Sequence, residues 1–109
     1  MAESRQVLGQ SYPAAGVLTG LYTVPVATQA VVSTITVCEQ AGSATTYSIS
    51  VAPAGAADQA SQYIAKNAPL QANEAKGYTL GIALATADVV RVTSASGNVS
   101  FSAFGVQLT

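Results

Sequence analysis

Histidine and tryptophan are absent from this chain, cysteine occurs once, and only 8% of its 109 residues are charged, about a third of the share usual in a soluble domain. Without histidine, the Ser–His and Cys–His couples of nucleophilic catalysis cannot be assembled, and zinc sites that rest on imidazole are excluded with them. The lone thiol, Cys38, can form no intrachain disulfide. It sits in the apolar alternation around Val31, Ile35 and Val37, where a small half-buried filler is the ordinary occupant.

Charge of one sign is lacking as well: four Lys/Arg stand against five Asp/Glu, and Arg5, Lys66, Lys76 and Arg91 are scattered singly. Tracking a phosphate backbone requires a basic stripe that releases counterions, so no nucleic-acid partner is expected. The longest apolar stretches, such as Ala30-Val31-Val32, fall far short of the ~20 residues that span a bilayer, and no membrane partner is expected. The start, Met1 to Gln6, is polar and carries Glu3; no signal peptide is read there. The glycines form neither a dinucleotide-binding fingerprint nor a phosphate loop. Asn98-Val99-Ser100 fits the N-glycosylation triplet, which is frequent by chance.

The five carboxylates, Glu3, Glu39, Asp58, Glu74 and Asp88, are isolated in sequence. Their spacing suggests no metal cluster, and neither a metal nor another cofactor is expected. A glycosidase-type pair could be assembled only in space, and Glu39 and Asp88 read instead as strand-end or loop acids facing water. The expectation is a non-enzyme with no catalytic residue.

What the chain has in abundance is period-two alternation of β-branched residues. Val31 to Cys38, Thr46 to Val51, Val89 to Thr93 and Val99 to Ala103 are strands by composition and length. The last two, joined by Ser94-Ala95-Ser96-Gly97-Asn98, read as a hairpin. Weaker strands are Gln6–Gln10, Leu21–Val24, Gln62–Ala65 and Tyr78–Ala83, and the stretch from Ala54 reads as loop then strand. With punctuation at Pro13, Gly16, Pro25, Gly42, Pro53 to Gly55, Asn67 to Pro69 and Asn73, strands recur about every 8–12 residues, the spacing of an antiparallel sandwich or barrel. The fold class expected is all-β: one β-sandwich or jelly-roll-like domain of about eight short strands over residues 1–109, with residues 1–4 a flexible N-terminus. A 10.9 kDa chain is expected to keep roughly 5,600 Å² exposed when folded. The predicted core is Val31, Ile35, Val37, Tyr47, Ile49, Val51, Leu80, Ile82, Val90, Val92, Val99 and Phe101, with the serines at 48 and 50 outside.

Half of the residues are hydrophobic, an apolar balance for the surface of a free monomer, and self-association follows as an expectation. The weakest strand pattern lies in residues 4 to 30. There Tyr12, Leu18, Leu21 and Tyr22 look exposed among Gly9, Pro13, Gly16, Gly20 and Pro25, and they are the candidate interface residues, since aromatic and aliphatic anchors concentrate in interface cores. The chain's five tyrosines could alternatively form the stacking platform of a carbohydrate-binding module, although Tyr47, Tyr63 and Tyr78 lie in strand-patterned segments where an inward aromatic is ordinary core.

Val7-Leu8-Gly9-Gln10, Leu21-Tyr22-Thr23-Val24-Pro25, Thr28 to Cys38, Val51 to Ala56, Leu80 to Leu84, Asp88 to Val92 and Asn98 to Gly105 together resemble a set of small tailed-bacteriophage virion proteins. The resemblance runs over nearly the whole chain. It implies a single-domain structural protein of the particle, assembled in the host cytoplasm: a decoration or cement subunit on the capsid, or alternatively a neck, tail or fibre component acting in attachment or as an adaptor. Its implied partners are the major capsid protein or neck and tail proteins, with a homo-oligomer, preferably a trimer, matching the local symmetry of capsid lattices.

Overall fold

Alternating β-branched residues carry the chain into eight antiparallel strands in a computed structural model that describes residues 3–109. They are β1 (Glu3–Ser11), β2 (Thr19–Thr23), β3 (Gln29–Glu39), β4 (Thr45–Ala52), β5 (Tyr63–Leu70), β6 (Ala75–Leu84), β7 (Val89–Ser94) and β8 (Val99–Leu108). Two four-stranded sheets result, ordered β1-β8-β3-β6 and β2-β7-β4-β5, which is the strand order of a jelly roll. The all-β sandwich expected from strand spacing is thus the fold observed. Glu3 and Ser4, expected in a flexible N-terminus, pair with Leu108 and Gln107; that expectation for Met1 and Ala2 lies outside the described residues.

The expected hairpin of the last two strands is corrected. β7 lies in one sheet and β8 in the other, so residues 95–98 cross the end of the sandwich. Only β4 and β5 are both consecutive and paired, and they are joined by two 3₁₀ turns, Pro53–Gly55 and Ala60–Gln62. A hairpin and a crossover share the same turn-rich composition, which is why local sequence could not separate them.

The core fills the space between the sheets, and the total exposed surface is 5366 Å². Ile35, Val37, Tyr47, Ile49, Val90, Val92, Val99 and Phe101 are buried as predicted, while Val51 and Ile82 are half-buried against them. Val31 and Leu80 are corrections. β3 shifts register between Val32 and Thr34. The bulge reverses the alternation, so Ala30 and Val32 face inward before it, Ile35 and Val37 after it, and Val31 faces out. Opposite this bulge, Leu80 and Gly81 interrupt β6, with Gly81 at φ 65°, and Leu80 is left 51% exposed.

Ser48 and Ser50, expected outside, are buried. Ser48 accepts from the Asn67 N–H of β5 at 2.9 Å, and the β4–β5 connection lies over the sheet beside Ser50. Arg91, which pairs with Ser50 across the strands, holds the connection down by donating from its guanidinium to the carbonyls of Ala56 (2.8 Å) and Gly55 (3.2 Å).

Three glycines, Gly9, Gly97 and Gly105, are required by close backbone approach; a Cβ at Gly97 would lie 2.8 Å from the Ala15 nitrogen. A Cβ at Gly105 in β8 would collide with the Val31 carbonyl beside the β3 bulge, and one at Gly9 in β1 would collide with the Leu21 carbonyl of β2. At Gly77 a Cβ meets nothing. Gly105→Ala is therefore expected to destabilise by about 1–3 kcal/mol or more, because backbone must move, whereas Gly77→Ala should be neutral or slightly stabilising. Ile49→Ala, at a site facing Val92 across the strands, should cost about 2–5 kcal/mol. Denaturant midpoints of the three variants check both expectations, and an unmoved midpoint for Ile49→Ala is incompatible with this core.

Candidate interaction surface

The connections gather at two ends of the sandwich. One end holds β1–β2 (residues 12–18), β3–β4 (40–44), β5–β6 (71–74) and β7–β8 (95–98); the other holds β2–β3 (24–28), β4–β5 (53–62) and β6–β7 (85–88). Each end is organised by a carboxylate. Glu39, at the last residue of β3, is 2% exposed and accepts from the backbone N–H groups of Ala41 (2.9 Å), Gly42 (2.8 Å) and Asn73 (3.0 Å). The Asn73 and Ala41 N–H groups are the main reasons its carboxyl is held below the ordinary value; burial opposes them, and Gly42 and Ser43 add to them. Asp88 accepts from the Ala54 N–H (2.8 Å) and the Ala85 N–H (2.9 Å). Both acids were expected to face water. For Glu39, a strand-ending acid followed by a glycine-containing turn was the available signal, since such turns leave N–H groups for a carboxylate to accept; Asp88 carries no such mark.

The other carboxylates are engaged too. Asp58 accepts from the Tyr63 hydroxyl (3.0 Å), Glu74 from the Gln71 N–H (2.8 Å), and Glu3 pairs with Arg5 (3.2 Å). Among the described residues no three His, Cys, Asp or Glu side chains come together as a metal site.

The four candidate interface residues are separated by the fold. Tyr12 is 55% exposed in the β1–β2 connection, where its hydroxyl donates to Asn98 Oδ1 at 3.4 Å. Leu18 is half-buried. The exposure expected of Leu21 and Tyr22 is corrected: both are buried in the core. β2 shifts register between Gly20 and Tyr22, and this bulge turns two consecutive side chains inward, which strict alternation forbids. The Tyr22 hydroxyl accepts from Gln107 (2.7 Å), whose own amide oxygen accepts from Gln6 (2.8 Å), tying β2, β8 and β1 together.

Large exposed apolar side chains nevertheless concentrate in the N-terminal third. Val7, Tyr12, Val17 and Val26 belong to it; Ile64 and Leu80 are the other two. Tyr12 also borders a cleft with Gln10, Ser11, Ser100 and Ser102. The remaining tyrosines do not join it. Tyr47 is buried edge-on to Tyr78 and Phe101, its hydroxyl hydrogen-bonded to that of Tyr78, and burial first, then this bond, pushes its pKa up. The Tyr63 ring carries Lys66 Nζ 4.2 Å from its centre.

No protein-family model matches the chain, and no curated protein matches it.

A test of the Glu39 hub follows from its lowered pKa. A group depressed by folding stabilises above its unfolded pKa and loses that contribution as pH falls through its folded pKa. Glu39→Gln should therefore melt below the wild type at neutral pH, and the gap should close progressively below the ordinary value of 4.5. Thermal melts of both proteins from neutral pH into acid measure it; a gap independent of pH would show that the carboxylate charge is not what the turns require.

Proposed function

We propose that the chain is a non-enzymatic structural subunit of a tailed-bacteriophage particle, a decoration or cement protein that works by docking on the capsid in many copies as a small homo-oligomer. The observation that carries this reading is the distribution of side chains over the surface. The described carboxylates are all engaged with neighbouring groups, and exposed apolar anchors collect around the β1–β2 connection, at Tyr12 and Val17. A protein that binds one scaffold repeatedly needs only a modest contact per copy, because multivalent attachment multiplies weak interfaces. A neutral surface suits such crowding, since neighbouring copies do not repel. The resemblance of the sequence to small virion proteins supports the same reading. Jelly rolls serve in viral shells and in lectins alike, so the fold does not choose between them. The dispersal of the tyrosines supports docking over a sugar-stacking platform: Tyr22 and Tyr47 are buried and Lys66 lies over Tyr63.

The test uses particles lacking the protein. Tyr12→Ala combined with Leu18→Ser should fold with nearly unchanged melting temperature and fail to add to them, while the wild type adds. Loss of stability with normal addition by the folded fraction would move the docking surface away from the β1–β2 connection. Failure of the wild type to add would sink the decoration reading itself. Gel densitometry of purified particles then separates hundreds of copies, a capsid decoration, from tens or fewer, a neck, tail or fibre position.

A further inference from the structure

We propose that the outer face of the β1-β8-β3-β6 sheet is a self-association surface, on which a second copy of this chain packs about a twofold axis. The sheet edges are poor candidates for association because each is interrupted. β1 carries Glu3 and Arg5 and a register shift between Val7 and Gly9; β2 has only five residues and is bulged; β5 contains Pro69 and left-handed Asn67 at φ 50°; β6 is broken at Leu80–Gly81. Bulges, prolines and charges are the devices that keep strand edges from pairing. The outer face of the other sheet lies under the β4–β5 connection and carries Arg91.

The outer face of the first sheet has no such cover. Val31 is turned outward by the β3 bulge and pairs with Val106, and Phe104 lies in the next row opposite Thr34. Further along, Thr36 stands between Ser102 and Gly77. The charges on this face are the Glu3–Arg5 pair at its corner, mutually compensated; Lys76 pairs with inward-facing Val37 and reaches back to the Pro69 carbonyl. A twofold contact sets a patch against itself, so unpaired charge would meet its own sign. This face presents none among the described residues.

Its size is also suitable. Four strands about 4.8 Å apart, nine to eleven residues long, give a footprint of about 600 Å² before side-chain relief is counted. That is the scale of the ~800 Å² each partner contributes to a standard interface. Side chains of valine, phenylalanine and threonine size fill the ~10 Å between packed sheets, as they do inside a sandwich. The inference does not rest on the particle assignment, and it gives a pair in place of the threefold oligomer that the resemblance implies.

Light scattering on the isolated full chain tests it. The wild type should have twice the 10.9 kDa chain mass at high micromolar concentration. Thr36→Lys and Thr36→Glu should each fall to the single-chain mass, and an equimolar mixture of the two should recover the doubled mass, because opposite charges then face each other. Ala57→Lys, on the β4–β5 connection, should stay doubled. A monomeric or trimeric wild type, or folded Thr36 variants that keep the doubled mass, overturns the proposal. Should the Thr36 variants not fold, the wild type still decides. Cys38 lies two residues along on the same half-buried face, so its reaction with methyl methanethiosulfonate should slow severalfold as protein concentration rises; a rate independent of concentration overturns the proposal equally.

Discussion

The rest of the structure depends on the capping of backbone N–H groups at the two ends of the sandwich by Glu39 and Asp88. In this strand order the chain changes sheet at every connection except β4–β5. Every such crossing leaves the ladder, and its N–H and C=O groups need partners elsewhere, since an unpaired buried group is costly. At one end the Glu39 side chain takes three N–H groups from two different connections, and its own N–H donates to the Glu74 carbonyl. At the other end the Asp88 side chain joins the β4–β5 connection to the β6–β7 turn, and its carbonyl accepts the Val24 N–H. Ala27, Ala54 and Ala87 all lie in the left-handed region at this second end, at about 1–2 kcal/mol each. Such backbone persists only where surrounding bonds over-determine it, and the Asp88 hub supplies several of them.

Bulges are the second constraint, and they explain where the sequence could be read and where it could not. Alternation is a two-state pattern, and one extra residue reverses it. Between bulges it worked for the large side chains: Tyr47 and Ile49 of β4, Val90 and Val92 of β7, and Val99 and Phe101 of β8 were visible as inward positions. At Ser33 the pattern inverts without any glycine or proline to announce it, so Val31 was assigned to the wrong face. At Leu21 the bulge admits Leu21 and Tyr22 together, and two large adjacent side chains read as exposed because no unbroken strand could bury both. Glycines do stand at the irregularities in β1 and β2, at Gly9 and Gly20, and at Gly81 in β6, where the effect is to leave Leu80 outside.

The candidate site was less legible than the fold for a related reason. Strand existence is a local property, whereas which connection lies over which face is set by topology. Ser48 and Ser50 have the polar identity of solvent-facing residues, yet Ser48 accepts from the Asn67 N–H of β5 and Ser50 lies beside Arg91 under the β4–β5 connection. Glu39 and Asp88 have the identity of surface acids, yet each serves backbone groups distant in sequence: Asn73 is 34 residues from Glu39, and Ala54 is 34 from Asp88. Tyr12 was legible because its exposure follows from lying in a connection ended by Pro13 and Gly16, not from pairing.

Low charge links these internal arrangements to the surface. With so few ionisable residues, committing Glu39 and Asp88 to the ends leaves little charge to make the faces repel. Arg91 and Lys66 fall on the sheet that already has a covering connection, where the guanidinium holds backbone carbonyls and the ammonium lies over Tyr63. The uncovered face receives the small hydroxyls and the apolar residues that the β3 bulge expels from the core. The bulge therefore acts on both surfaces of one strand: it admits Val32 and Ile35 to the interior in consecutive turns of the pattern, and it sets Val31 beside Val106 on the outside. A sheet face that is nearly free of charge and slightly apolar is a direct consequence of how this core is closed. Apart from the mutually compensated Glu3–Arg5 pair at its corner, the uncovered face carries no charge that would meet its own sign across a twofold contact.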